Sequence, residues 1–240
     1  MKKLVVVLLV LPLVALSQAK IVLSSQRFFP KTDKNAEFEK GLAAHAQKYH
    51  TGLWKWRVFE IESGPDFGAV MIVEGPNTWD DFDKRGDLGA DHLNDWNKNV
   101  APYIENHAES FYMEYKEQLS TIPLTDYSKW VSILHLCPNP GYVAATEELI
   151  GSMKKVWTDG KESVVVYNAV SSGDPQYTVV TRYKQGLKEK DPGFLSGTLK
   201  ERYIKANGDG SFDKFIETFR SAIHKQWSEL LMFREDLSSK

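Results

Sequence analysis

The chain has 240 residues, of which 42% are hydrophobic and 26% are charged, and these proportions are typical of a globular protein. Its 30 basic and 32 acidic side chains give a formal charge of −2, which excludes the strongly basic surface of a nucleic-acid-binding protein. The single cysteine, Cys137, excludes an internal disulfide. Because Cys137 ends an apolar segment, we expect a buried and inert thiol.

Residues 1–19 have the pattern of a signal peptide. Lys2 and Lys3 precede an apolar stretch at 4–16, which is shorter than a typical membrane-spanning helix. Ser17 and Ala19 are the small residues of a cleavage site. We therefore expect cleavage after Ala19, a secreted or periplasmic location, and no stable membrane insertion of the mature chain.

The first half of the mature chain alternates between strand and helix patterns. Phe38, Leu42 and Ala46 recur at helical spacing, and Thr78 before two aspartates is typical of a helix N-terminus. The patterns predict strands over 21–29, 53–62, 67–74 and 110–119, and helices over 33–49, from Thr78 onward and over 92–108.

The second half repeats this order. Its patterns predict strands over 130–137, 163–170, 177–184 and 229–236, and helices over 142–157 and 211–226. A turn over 171–175 joins the two middle strands of this half. The stretch 207–212 looks like part of a calcium loop, but acidic residues are missing where the first and twelfth ligands should stand, so we predict a turn without metal.

A weak internal repeat supports a duplicated unit. The segment 110–120, SFYMEYKEQLS, reappears at 228–238 as SELLMFREDLS. Together with the repeated β-α-β-β-α-β order, it predicts an α+β protein of two ferredoxin-like repeats at 20–121 and 130–240, joined by a linker at 122–129. A ferredoxin-like sheet has helices on one face only, so we expect the two antiparallel sheets to cover each other in a barrel-like arrangement.

This element order and repeat resemble the dimeric α+β barrel superfamily, which includes antibiotic-biosynthesis-type monooxygenases, NIPSNAP-like proteins and chlorite-dismutase-like haem proteins. The resemblance concerns the fold and covers essentially the mature chain. It implies either a monooxygenase that works without a cofactor or a haem protein. In fused haem members the proximal ligand lies on a helix of the second unit, so the resemblance makes His224 the position to test. His107 has the corresponding place in the first unit, which favours inherited packing instead.

Six residues are candidates for a ligand site between the two units. Arg27 and His135 hold similar places on the first strands of the two units, where they could either enter the cavity or reach solvent at the strand ends. Two further candidates are Trp54 and Trp56, which share one face of the second predicted strand. The last two are Arg182 and Tyr183, which are adjacent on the third strand of the second unit, so only one of them can face the cavity. Core packing is the alternative role of the tryptophans.

No catalytic residue is assigned, and no metal site is predicted apart from the haem ligand named above. The chain lacks G-x-S-x-G, P-loop, H-E-x-x-H, C-x-x-C and G-x-G-x-x-G motifs. Three hypotheses remain: an exported protein that binds a small apolar or aromatic ligand, a monooxygenase or haem-binding enzyme, and a structural or interaction module with a filled core. The volume of the barrel cavity discriminates the last from the others.

Overall fold

The structure of this protein is a computed structural model that describes residues 19–170, 173 and 175–240. The predicted signal peptide, apart from Ala19, and three positions of the predicted turn at 171–175 lie outside the described residues. No helix of the described part is long and apolar enough to cross a membrane. The strands and helices follow the order β1 (Val22–Pro30), α1 (Asn35–Tyr49), β2 (Trp56–Ser63), β3 (Val70–Asn77), α2 (Trp79–Asp83), α3 (Ala90–Asn99), β4 (Ile104–Tyr115), β5 (Trp130–Pro138), α4 (Val143–Asp159), β6 (Val164–Val170), β7 (Tyr177–Tyr183), α5 (Leu199–Asn207), α6 (Ser211–Ala222) and β8 (Ile223–Phe233).

The eight strands form one closed antiparallel barrel in the order β1-β3-β2-β8-β5-β7-β6-β4. The first four strands are neighbours in the order β4-β1-β3-β2, and the last four repeat it as β8-β5-β7-β6. Pairing of β2 with β8 and of β4 with β6 joins the two groups. The predicted α+β class and barrel-like arrangement are thus confirmed, with the two expected sheets continuous at both edges. The division into units at 122–129 stays a prediction.

Strand alternation sends one set of side chains into the barrel and the other towards the helices. On β2, Phe59 and Ile61 belong to the interior cluster, whereas Trp56 and Val58 pack outside against α1. A third apolar cluster lies between α4 and the outer face of the second half, where Ile150 is buried. An interior of eight strands is just wide enough for side chains to fill, so any ligand space inside must be small.

Two predicted helices extend too far towards the C-terminus. The helix predicted over 92–108 ends at Asn99, because Pro102 follows in a short 3-10 turn and β4 begins at Ile104. The exposed polar residues in the first half of β4 lack the apolar alternation that signals a strand. His107 consequently lies exposed on β4. The helix predicted over 211–226 ends at Ala222, and β8 continues directly without an intervening glycine or proline.

Other local features were placed or missed for identifiable reasons. Thr78 caps α2 in a reciprocal arrangement with Asp81, as its position predicts. The same S/T-x-x-E signal at Thr198 and Glu201 begins α5, a helix that the predicted elements omit. Cys137 is buried, as expected.

Candidate ligand site in the barrel

A buried ion pair crosses one end of the barrel interior. The guanidinium of Arg27 donates two hydrogen bonds to the carboxylate of Glu229, at 2.7 and 2.9 Å, and a further one to Asp66. Arg27 and Glu229 are each 2% exposed. Burial raises the pKa of Glu229, but the neighbouring His135 and the charged Arg27 outweigh it and lower this pKa to about 2. The carboxylate is therefore ionised at neutral pH.

His135 completes this end of the interior. Its ring is 2% exposed and stacks on the indole of Trp227 with centroids 4.4 Å apart. Its Nδ1 lies 2.6 Å from Nε2 of Gln176, while its Nε2 lies 3.6 Å from Glu229, too far for a hydrogen bond. Among the described residues, Nε2 of His135 and Nε of Arg27 have no hydrogen-bond partner. Both candidates therefore face the interior, not solvent.

A second basic group lies towards the opposite end. Arg182 on β7 pairs with Val131, four residues along β5 from His135. Its guanidinium donates to the carbonyl oxygens of Leu124 and Asp126 and to the hydroxyl of Tyr167, and it is 4% exposed. Among the described residues, no carboxylate lies within ion-pair distance of Arg182. A buried cation without an acidic partner is unusual, because burial of an unpaired charge is costly.

Tyr127 closes this second end between two guanidinium groups. Its ring centroid lies 4.2 Å from Arg57 and 5.0 Å from Arg182. Arg57 donates to the carbonyl oxygen of Gly75 at 2.6 Å, and the described residues supply it with no acidic partner either. Burial raises the pKa of the Tyr127 hydroxyl, against the two cations, so the ring stays neutral. The Tyr127 end of the barrel is thus electropositive.

The space between the two ends is small and apolar. A cavity of about 60 Å³ is lined by both polar ends and by apolar residues of six strands, among them Phe59, Met113, Val131 and Val180. A surface cleft of about 960 Å³ shares Arg57 and Tyr127 with this cavity. The side chain of Tyr127 therefore separates the barrel interior from an open cleft.

The remaining candidates lie outside the barrel. Tyr183 faces outward, where its hydroxyl lies 2.9 Å from that of Ser132. Trp56 faces α1 and stacks on His50. The prediction that Trp54 shares a strand face with Trp56 is wrong, because Trp54 belongs to a 3-10 turn before β2 and contacts Phe82. Trp54, Trp56 and Tyr183 therefore do not line the cavity.

The residues present do not fit haem at the position that the resemblance implies. An apolar pocket of about 270 Å³ lies between the second-half helices and the sheet, and Leu149, Ile216 and Phe219 line it. No imidazole of the described residues lines this pocket. His224 is exposed at the start of β8 and does not lie on a helix, contrary to the prediction. An axial ligand of the expected kind is therefore missing from this pocket.

Several residues that shape these sites have no local signal in the sequence. Glu229 reaches Arg27 across 202 positions, and Tyr127 lies in the predicted linker. A cluster of three histidines, His45, His50 and His92, lies outside the barrel between α1 and α3, separate from the cavity. Only the folded chain brings these groups together.

Solved structures share this fold at very low sequence identity. An anthrone oxidase-like protein superposes with a TM-score of 0.59 and 9% identity, covering 91% of this chain and 93% of that one. A Fusobacterium nucleatum protein that carries the name of a monooxygenase superposes with a TM-score of 0.52 and 14% identity, covering 88% of this chain and 91% of that one. A mutant chlorite dismutase from Candidatus Nitrospira defluvii superposes with a TM-score of 0.51 and 6% identity, covering 92% of this chain and 94% of that one.

No protein-family model and no curated protein matches the sequence. The similarities to solved structures therefore place the chain in the dimeric α+β barrel fold and concern the fold alone.

Proposed function

We propose that this protein binds a small molecule that carries an anionic group on an apolar body, at the Tyr127 end of the barrel. The observation that carries the proposal is the burial of Arg182 without an acidic partner among the described residues, beside a cavity with apolar walls. Backbone carbonyl oxygens satisfy its donors but do not neutralise its charge. A carboxylate in contact with Arg57 and Arg182, at the edge of the Tyr127 ring, would neutralise both cations.

The size of the cavity limits the apolar part of this ligand. The barrel interior offers about 60 Å³, whereas an engineered apolar cavity known to bind benzene has about 150 Å³. A short alkyl chain fits this space without rearrangement. An aromatic body requires Tyr127 to swing out, which would join the interior to the adjoining cleft. We therefore favour an aliphatic over an aromatic ligand within the apolar or aromatic class that the sequence suggests.

An enzymatic role rests on the fold alone. The names of the similar structures point to monooxygenases and chlorite dismutases, and these names belong to those proteins. The exposed position of His224 gives no support to a haem enzyme. We also propose, from the pattern of residues 1–19, that the chain is exported. The mass of the mature protein tests this directly, with cleavage after Ala19 as the expected result.

A matched pair of probes tests the proposed site. Butyrate and butyramide have the same carbon skeleton and differ in charge, and their binding can be followed by chemical-shift titration. We expect butyrate to bind at least about tenfold more tightly, since a hydrogen bond to a charged group contributes roughly 1.5–3 kcal/mol. Arg57→Gln should remove most of this preference, whereas Arg220→Gln, a charge change on exposed α6, should not.

A second pair of variants tests the location. Val180→Phe fills the cavity from β7 and should abolish butyrate binding, whereas Thr181→Phe adds the same ring on the outer face of the same strand. Equal affinity for the acid and the amide, or undiminished binding by a folded Val180→Phe variant, contradicts the proposal. A wild-type protein that binds neither probe indicates a filled barrel with a structural or interaction role.

A further inference from the structure

Three histidines converge outside the barrel, on the side covered by α1 and α3. His45 lies in the last turns of α1, His50 directly follows that helix, and His92 lies on α3. One potential ligand nitrogen from each ring lies within 4.8 Å of the others. His45 and His50 are five positions apart, a spacing that a continuous helix would not place on one side. Because α1 ends at Tyr49, the backbone of His50 leaves the helical conformation and its ring turns back towards His45.

Two of the three distances between these nitrogens match the edge of a coordination tetrahedron. Nε2 of His92 lies 3.2 Å from Nε2 of His45 and 3.4 Å from Nε2 of His50. Ligands at the zinc–nitrogen distance of about 2.0–2.1 Å in tetrahedral geometry are about 3.3–3.4 Å apart. A hydrogen bond can satisfy one of the two contacts of His92, because its Nε2 carries at most one proton. The nitrogens of His45 and His50 lie within 4.8 Å of one another, and a metal ion that draws this pair closer would satisfy all three nitrogens at once.

The outer contacts of the rings are those of metal-bound imidazoles. Nδ1 of His45 lies 2.7 Å from a carboxylate oxygen of Asp95, whose other oxygen accepts a hydrogen bond from Asn99. A carboxylate on the far nitrogen fixes the tautomer and turns the lone pair of Nε2 towards the ion. Nδ1 of His50 lies 3.6 Å from Glu74, and no other part of the described structure offers it a hydrogen-bond partner. Each of these two rings thus has a carboxylate behind it.

The environment also favours the neutral form of His50 and His92. Burial lowers the pKa of His50 to about 4, although Glu74 opposes this change. Burial also lowers the pKa of His92, and the neighbouring His45 ring and the Arg85 guanidinium lower it further. The ring of His50 stacks on Trp56 with centroids 3.4 Å apart, which fixes its orientation. Neutral imidazoles with fixed orientations are ready to bind a metal at neutral pH.

We propose that His45, His50 and His92 bind a divalent transition-metal ion of the imidazole-preferring group, with zinc as the reference ion. Imidazole nitrogen suits Zn²⁺, Cu²⁺ and Ni²⁺, and it does not suit Mg²⁺ or Ca²⁺. A cleft of about 360 Å³ begins at the cluster, and His50, His92, Arg85 and Trp96 are among its lining residues. Three protein ligands beside an open cleft leave a fourth position for water or a small ligand, as in metal sites that react with or exchange ligands.

Metal titration of the untagged, chelator-treated protein tests this proposal, because a histidine tag would itself bind the ion. Calorimetry with Zn²⁺ should give one site per chain, and Co²⁺ should produce the visible absorption of a tetrahedral site. His92→Ala should weaken Zn²⁺ binding by more than about 100-fold, and Asp95→Asn by about 10- to 100-fold, the range for an outer partner of a ligand. His107→Ala is the matched control, since His107 is exposed on β4, and it should leave the affinity unchanged.

Circular dichroism of each variant separates loss of metal from loss of fold. His92 is only partly buried, so we expect its alanine variant to remain folded and to lose the rise in melting temperature that Zn²⁺ gives the wild type. Anomalous scattering at the zinc edge should place one ion among the three Nε2 atoms. The proposal is overturned if the folded wild type binds none of Zn²⁺, Cu²⁺, Ni²⁺ and Co²⁺, or if His92→Ala binds Zn²⁺ as tightly as the wild type. Either result would identify the cluster as a hydrogen-bonded packing feature.

Discussion

The buried pair of Arg27 and Glu229 gives the strongest quantitative prediction about stability. Replacement of Glu229 by glutamine keeps the shape of the side chain and removes its charge, which leaves Arg27 with Asp66 as its acidic partner. The pKa of Glu229 is about 2 in the folded protein, against 4.5 as its ordinary value. A difference of this size corresponds to about 3 kcal/mol of folding free energy at neutral pH, which agrees with the roughly 3–5 kcal/mol lost when one partner of a buried pair is removed.

The pH dependence of this contribution has a definite sign. The folded pKa is depressed, so the stabilisation is complete above the ordinary pKa of 4.5 and disappears as the pH falls towards 2. Wild type and Glu229→Gln should therefore differ fully at pH 7, and by about half as much at pH 3. Near pH 2 the two proteins should converge, because the wild-type carboxyl becomes protonated as well.

Urea denaturation at pH 7, 5 and 3 measures this difference. In thermal denaturation at pH 7, the melting temperature of Glu229→Gln should fall by roughly 6–12 °C, since 1 kcal/mol corresponds to about 2–4 °C at this chain length. Glu109→Gln, an exposed carboxylate on β4, is the matched control and should change the free energy of unfolding by less than about 0.5 kcal/mol. If Glu229→Gln is no less stable than this control, or if the difference does not shrink with acid, the account of a buried, charge-paired interior is refuted.

Two further predictions concern packing and the haem hypothesis. Gly41→Ala on α1 should destabilise the protein, because an added Cβ would lie 1.8 Å from the carbonyl oxygen of Asn99. Gly151→Ala on α4 brings the added Cβ no nearer than 3.9 Å to its closest neighbour and should stabilise the protein by about 0.5–1 kcal/mol. Equal melting temperatures for the two variants would contradict the close contact between α1 and α3. Haemin titration followed by absorbance should give the same spectrum for wild type and His224→Ala, since His224 is exposed on β8; loss of a Soret change in the variant would restore His224 as a ligand.

The barrel could be predicted from the sequence because its signals are local and repeated. Alternation on the strands and the repeated element order predict which strands belong together, and the similar places of Arg27 and His135 place both on first strands. The same reasoning could not find Glu229, because its pairing with Arg27 depends on the closure of β2 against β8. A polar residue on an alternating strand has no signal for its partner.

The errors in the prediction have physical causes that differ from residue to residue. The sequence pattern predicts a helix at His224 because α6 passes directly into β8, without the glycine or proline that usually marks a boundary. The cluster of His45, His50 and His92 cannot be predicted from the sequence, because the spacing of these histidines matches no metal-binding motif. It forms only because α1 ends between the first two histidines and α3 brings the third from 42 positions further along the chain.

The location of a bound acid inside the barrel tests the central claim most directly. Intermolecular nuclear Overhauser effects between butyrate and the labelled methyl groups of the protein report this location even when binding is weak. If butyrate binds at the proposed site, its alkyl chain should contact Met113, Val131 and Val180, which line the interior cavity. Contacts to Leu149 and Ile216 instead would place the ligand in the apolar pocket under the second-half helices and contradict the account, as would the absence of any contact at saturating butyrate.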